Sequence, residues 1–178
     1  MVYRYRVSLP GIKGFARVYQ VKGTTTLYSF HKQMRFDMDF PQDQMILFKG
    51  FSEDGDVVSR YSLIDLGNGT IDEVSIENTI EAGIIQFTYF YDTVNKKSVI
   101  VSLDSEECTE VDPKIIYPHL VETKGPNPIE FENGYVAFED LPEDKKRRLK
   151  ADPDDLDDED YEEDEDAEEE DEIFDEDE

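Results

Sequence analysis

Residues 151–178 contain 21 Asp and Glu and not one Lys or Arg, and no other feature limits the fold of this chain so strongly. The large apolar residues in that stretch are Leu156, Tyr161, Ile173 and Phe174. They are too few to bury a core against so many like charges, which predicts a disordered acidic arm. Of a net charge of -27 over 178 residues, the first 150 residues account for only -6, with 24 acids against 18 bases. That is the make-up of one ordinary domain. The expected organisation is a globular domain over 1–142, closed by a Pro-rich segment at about 113–142, then a basic junction at 143–150 and the acidic tail at 151–178.

The domain reads as α+β, a mainly antiparallel sheet with hairpins and one or two packed helices. Tyr3, Tyr5, Val7 and Leu9 alternate with Arg4, Arg6 and Ser8, the period-two mark of a strand with one buried face. Pro10, Gly11 and Gly14 punctuate a turn, and 15–21 returns as the partner strand of a hairpin with a longer loop. Thr24-Thr25-Thr26 offers hydroxyls to open a helix. Leu27, Phe30, Met34 and Met38 then recur on one helical stripe with His31 beside them, and Pro41 bars its continuation.

Further on, Met45–Phe48 reads as a buried strand and Val57–Ile64 as another, joined through the turn signal Asp54-Gly55. Val74–Ala82 reads as a short helix ended by Gly83, with Val74, Asn78 and Ala82 on one side and Ile76 and Ile80 nearby. The β-formers of Ile84–Tyr91 and Ser98–Leu103 flank the polar turn Asn95-Lys96-Lys97 and predict a second hairpin. Beyond Val111 the pattern weakens, and Pro113, Pro118, Pro126, Pro128 and Pro142 predict an extended segment laid over the sheet.

Several function classes drop out on these counts. No run of about 18 uncharged apolar residues offers a membrane span. Met1 leads straight into Val2-Tyr3-Arg4-Tyr5-Arg6 with no signal-like apolar region. The lone Cys108 excludes an internal disulfide framework and fits a reducing compartment, so a cytoplasmic location is expected. Net charge disfavours nucleic acid as a partner and favours a basic protein.

Leu27-x-x-Phe30-His31-x-x-Met34, then Met38-Asp39-Phe40 and Met45-x-x-Phe48, followed by Tyr89-Phe90-Tyr91-Asp92, Tyr117-Pro118 and Gly125-Pro126-Asn127-Pro128, together resemble the plasmid ORF-three-like proteins. That family was first named from a rhizogenic (Ri) plasmid and is also known as passenger proteins of an insertion element. The resemblance spans Leu27 to Gly134, and divergent members with long acidic C-terminal tails look most similar. Thr93-Val94-Asn95-Lys96-Lys97 stands where members often carry a Trp-rich, His-containing stretch, and Gln44 stands where a family His is found. The resemblance implies the α+β fold, a possible tie to a mobile element, and no particular reaction.

Among candidate chemical groups, His31 is the foremost single residue. It reads either as a base or ligand or as a core-edge histidine that fixes its helix, and the second is favoured because catalysis needs partners within hydrogen-bond reach. A Cys108–His119 thiol–imidazole pair is disfavoured, since Glu106, Glu107 and Glu110 surround the cysteine. Two His and one Cys cannot build a structural zinc site, and 52–56 fits a hairpin turn better than a calcium loop. No phosphate-cradling glycine motif occurs, so no cofactor and no enzymatic activity are expected.

Two charged features remain. Lys145, Lys146, Arg147, Arg148 and Lys150 place five of the 18 bases within six residues, a cluster suited to phosphate contacts yet adjacent to a competing polyanion. The tail would span roughly 30 Å as a flexible chain, with Tyr161 and Phe174 as apolar anchors. The expected function is therefore non-enzymatic: an acidic arm that engages a basic partner. The alternative is a nucleic-acid or mobile-element accessory factor using Arg4, Arg6, Arg17 and the junction, masked by the tail.

Overall fold

The structure, a computed structural model, describes residues 1–134, 136 and 141–143, and the backbone alone at 105–107. Lys145, Lys146, Arg147, Arg148, Lys150, Tyr161 and Phe174 lie outside the described residues. The chain divides into two units, Met1–Leu141 and Pro142–Glu178. Among the described residues, seven strands and three helices all lie in the first.

The alternating N-terminus forms β1 (Val2–Leu9), which turns at Pro10-Gly11 into β2 (Ile12–Lys22). Leu9 pairs with Ile12, so the hairpin is tighter than the longer loop expected, and Gly14 lies within β2 rather than in the turn. Gly11, at φ 73, supplies the left-handed residue that so short a turn demands.

Thr26 caps α1 (Leu27–Asp37), and the Ser29 N–H donates to the Thr26 hydroxyl at 3.2 Å. The helix closes with the Phe40 N–H donating to the Arg35 carbonyl while Asp39 adopts φ 56, a left-handed C-terminal stop placed just before Pro41.

The third strand, β3 (Leu47–Phe51), begins two residues later than the apolar run from Met45 suggests, because Met45 is exposed and the strand instead takes in Lys49 and Gly50. A turn through Gly55 leads to β4 (Val57–Tyr61), which stops short of the exposed Ile64. Ser75 opens α2 (Ile76–Glu81) with a reciprocal cap to Asn78. The buried residues of α2 are Ile76, one of the two isoleucines expected nearby, and Thr79, while Val74 and Ile80 pack partly buried against the core. The second hairpin is β5 (Gln86–Asp92) with β6 (Lys97–Thr109).

The Pro-rich segment is more regular than expected. It adds an edge strand, β7 (His119–Lys124), paired to β2, and then a helix, α3 (Pro128–Glu132). The resulting sheet runs β4-β3-β5-β6-β1-β2-β7 with every neighbouring pair antiparallel.

All three helices cover one face. Tyr5 and Tyr19 meet the ring of Phe30 on α1 at 5.6 and 5.5 Å, and Phe15 meets Phe131 on α3 edge-on at 6.2 Å. The core formed there joins Val7, Val21, Phe48, Phe87, Tyr89, Val99 and Val101 to Leu27, Met34, Met38 and Ile76. Each such side chain stabilises the fold by about 1.5–3 kcal/mol when fully buried. The other face carries Arg6, Lys49, Thr88, Ile100 and Arg60, and on β1 and β2 it also carries the buried Val2, Ala16 and Val18, so the alternation of an antiparallel sheet packed on one side is incomplete there.

Arg17 departs from that pattern. Its position places it on the helix-covered face, and it is buried rather than grouped with Arg4 and Arg6. Its guanidinium donates to the carbonyls of Ala16, Lys124 and Gly125 and to Asn127 Oδ1, at 2.7–3.0 Å, over the ring of Phe15. Burial lowers its pKa, with Tyr19 and Asp37 pulling the other way. A cation that looked like a surface contact is the clasp that holds β7 and the start of α3.

Candidate functional site

Two adjacent stripes on α1 have different tasks. Leu27, Phe30 and Met34 enter the core, while Tyr28, His31, Lys32, Arg35 and Phe36 recur at i, i+3, i+4, i+7 and i+8 along the next edge. That second stripe forms one wall of a cavity of about 370 Å³, with Gln42 and Leu63 opposite, within the range of small-molecule sites.

His31 belongs to both stripes. It is only 2 % exposed, and its Nδ1 lies 2.6 Å from the hydroxyl oxygen of Tyr89 on β5. The core-edge reading of His31 therefore describes its position, but the residue also lines a cavity. Burial, aided by Arg35 and Lys32, pulls its pKa down to about 4, so the imidazole is neutral near pH 7. Burial likewise raises the Tyr89 pKa and keeps the phenol protonated, with the Arg35 guanidinium acting against that shift.

Arg35 is held by backbone groups. Its Nη1 donates to the Gln42 carbonyl at 2.7 Å and its Nη2 to that of Gln44 at 3.4 Å, while its buried Nε has no hydrogen-bond partner. The position where the resembled family has a His thus contributes its main-chain oxygen. Lys32 lies over the Tyr28 ring at 5.4 Å, and Phe36 is 80 % exposed at the rim. The lining includes two cations and a neutral imidazole, and it has no carboxylate, thiol or aliphatic hydroxyl. Such a set can hold an anion and orient a proton donor, and it offers no Ser, Thr, Cys, Asp or Glu as a nucleophile.

A second cavity, about 290 Å³, lies between the β1–β2 turn, the β5–β6 turn and α3. Its lining includes Lys96 and the ion pair of Lys97 with Glu132, and Glu132 also accepts from Tyr91 at 2.8 Å.

The other residues singled out by sequence are not brought together. Cys108 on β6 and His119 on β7 are separated by β1 and β2, about 14 Å at the usual strand spacing. Among the described residues, no three His, Cys, Asp or Glu gather as metal ligands, and no helix is long and apolar enough to cross a membrane. The turn at 52–56 closes β3 onto β4, with the Gly55 N–H donating to the Ser52 carbonyl.

Sequence reading identified His31 but missed Tyr28, Lys32, Arg35 and Phe36. Their helical spacing was available as a signal, yet a mixed stripe of rings and cations also describes a solvated helix face.

The solved structure of MM3350, a protein of unknown function from Methanosarcina mazei Go1, is similar to this chain with a TM-score of 0.60 and 18% identity. The match covers 83% of this chain and 86% of that one, and it bears on the fold alone. No curated protein matches. The family described as plasmid pRiA4b ORF-3-like protein matches residues 1–178, and the chain belongs to that family.

Proposed function

We propose that the protein acts by binding, not by turnover, and that its acidic arm engages a basic protein partner in the cytoplasm. The observation that carries this reading is the segregation of 21 acids without a single base into residues 151–178. Opposite charge accelerates encounter and selects against acidic competitors, and the folded domain then supplies shape-dependent selectivity. The lining of the His31 cavity supports a non-catalytic role, because it offers the neutral imidazole no carboxylate, thiol or aliphatic hydroxyl to work with.

The test is a pull-down with the full chain and with a chain truncated after Lys150, at low and at high salt. Basic partners are expected to depend on the arm and to be released by salt. Equal capture by the truncated chain would sink the reading.

A second reading, a nucleic-acid or mobile-element accessory factor, draws on the face of the sheet opposite the three described helices. There Lys49 on β3 and Arg60 on β4 are directly paired across the strands, an unfavourable like-charge neighbourhood that an anion would relieve. Arg6 lies on the same face, whereas Arg17 is withdrawn into the core. This reading requires truncation after Lys150 to create DNA or RNA binding that falls steeply with salt, and no gain in an electrophoretic shift excludes it.

A further inference from the structure

The geometry points to a ligand site on the outer edge of α1, built for a small organic oxyanion, a carboxylate or phosphate monoester carried on a flat apolar body. It concerns the folded domain alone and stands apart from the role of the acidic arm.

The first argument is charge. Where residues 1–150 carry 24 acids against 18 bases, a cavity lined by Lys32 and Arg35 and by no carboxylate is a local reversal of the domain's net charge. Such a site attracts an anion that the surface around it repels.

The second is donor geometry. Arg35 can only donate, and its bonds to the backbone carbonyls of Gln42 and Gln44 fix the plane of its guanidinium. His31 lines the same cavity, and because its Nδ1 lies 2.6 Å from the Tyr89 hydroxyl oxygen, Nε2 is the ring nitrogen not engaged with Tyr89. A guanidinium held in this way discriminates for planar oxyanions.

The third is the apolar frame. Tyr28, Phe36 and Leu63 flank the cations, and all three are exposed despite their size. Aromatic walls around a few convergent polar groups are the usual composition of a small-molecule site.

The experiment is a titration of the full chain, at pH 7 and in 0.15 M salt on the order of physiological strength, with benzoate, phenyl phosphate and the neutral isostere benzyl alcohol, followed by two-dimensional amide NMR. Benzoate or phenyl phosphate is expected to saturate, with shifts concentrated at 28–36, 42 and 63, and the tighter of the two identifies the head group. Benzyl alcohol should bind at least about ten-fold more weakly. Lys32→Met, on the helix surface, should weaken the anion roughly five- to ten-fold, and Arg35→Met should abolish saturation. Lys49→Met, on the opposite face of the sheet, should change nothing. If Arg35→Met fails to fold, Lys32→Met and the neutral isostere still decide the matter. Equal binding of benzyl alcohol, indifference to Lys32→Met, or shifts spread without saturation over surface lysines would each overturn the proposal.

Discussion

Tyr5, Tyr19 and Tyr89 all carry a hydroxyl into the core, but only that of Tyr89 has a hydrogen-bond partner, His31; the oxygens of Tyr5 and Tyr19 have none. A buried hydroxyl without a partner forfeits its hydration for nothing, whereas a paired one recovers most of it. Tyr5→Phe and Tyr19→Phe are therefore expected to leave stability unchanged or to raise it by up to about 1 kcal/mol, as read from urea midpoints. Tyr89→Phe should lower stability by about 1–2 kcal/mol, because it strands the imidazole nitrogen. His31 adds a pH dependence. Its folded pKa of about 4 lies below its ordinary value of 6.5, so between those values the unfolded chain binds the proton and the folded chain does not. Stability is then fully present above pH 6.5 and is lost as pH falls toward 4, by at most about 3 kcal/mol. His31→Gln should flatten that interval. The carboxylates of Asp65 and Asp92, held below their ordinary range chiefly by hydrogen bonds from Gly67 and from Asn95, contribute their own losses only at lower pH. Urea midpoints at pH 7, 5.5 and 4.5 for both proteins check the assignment, and an unchanged slope in the variant refutes it.

At the scale of elements, polar contacts around Arg17 and Gly125 reinforce the β2–β7 ladder and the Phe131 and Glu132 contacts that attach β7 and α3. Arg17→Met removes all four guanidinium hydrogen bonds and should cost about 2–3 kcal/mol, with amide exchange accelerating first at 119–132. Gly125, at φ 73, leaves no room for a side chain, since a Cβ there would meet the Gly14 carbonyl oxygen. Gly125→Ala should be at least as damaging, in the same segment and by the same measurement. These contacts also explain what the sequence disclosed and what it did not. The strands and helix of the core announce themselves because one face of each is buried: β1 by its alternation, α1 by Leu27, Phe30 and Met34, and the β5–β6 hairpin by its aromatic density. The edge strand β7 is exposed along most of its length, so no burial pattern marks it; its partner β2 and the Arg17 clasp impose its extended form. Arg17 itself read as a surface cation because an isolated Arg in a strand gives no hint of carbonyl groups brought to it from more than 100 residues away. The site was half legible for a similar reason. His31 stood out by its type, but the cavity depends on where Gln42 and Leu63 come to rest, which is set by the helix stop at Asp39 and by the loop after β4.

For the whole molecule, removal of residues 151–178 shifts the net charge from -27 to -6. If the first unit holds its fold alone, the thermal midpoint by circular dichroism should move by no more than about 2 °C, while elution from an anion exchanger moves to distinctly lower salt. A larger thermal shift would mean that the arm contributes to stability and not only to charge. The position of β1 has a different sort of consequence. Its first partner, β2, follows it directly, but its second, β6, joins Arg4 to Asp104 across 100 residues. The first-made of the seven strands thus lies in the interior of the finished sheet, and at roughly 5–20 residues per second its open side waits on the order of 5–20 s for β6 to be made. During synthesis the early hairpin is an exposed template for wrong pairing, and loop closure over that distance belongs to the slow, non-local class of folding events.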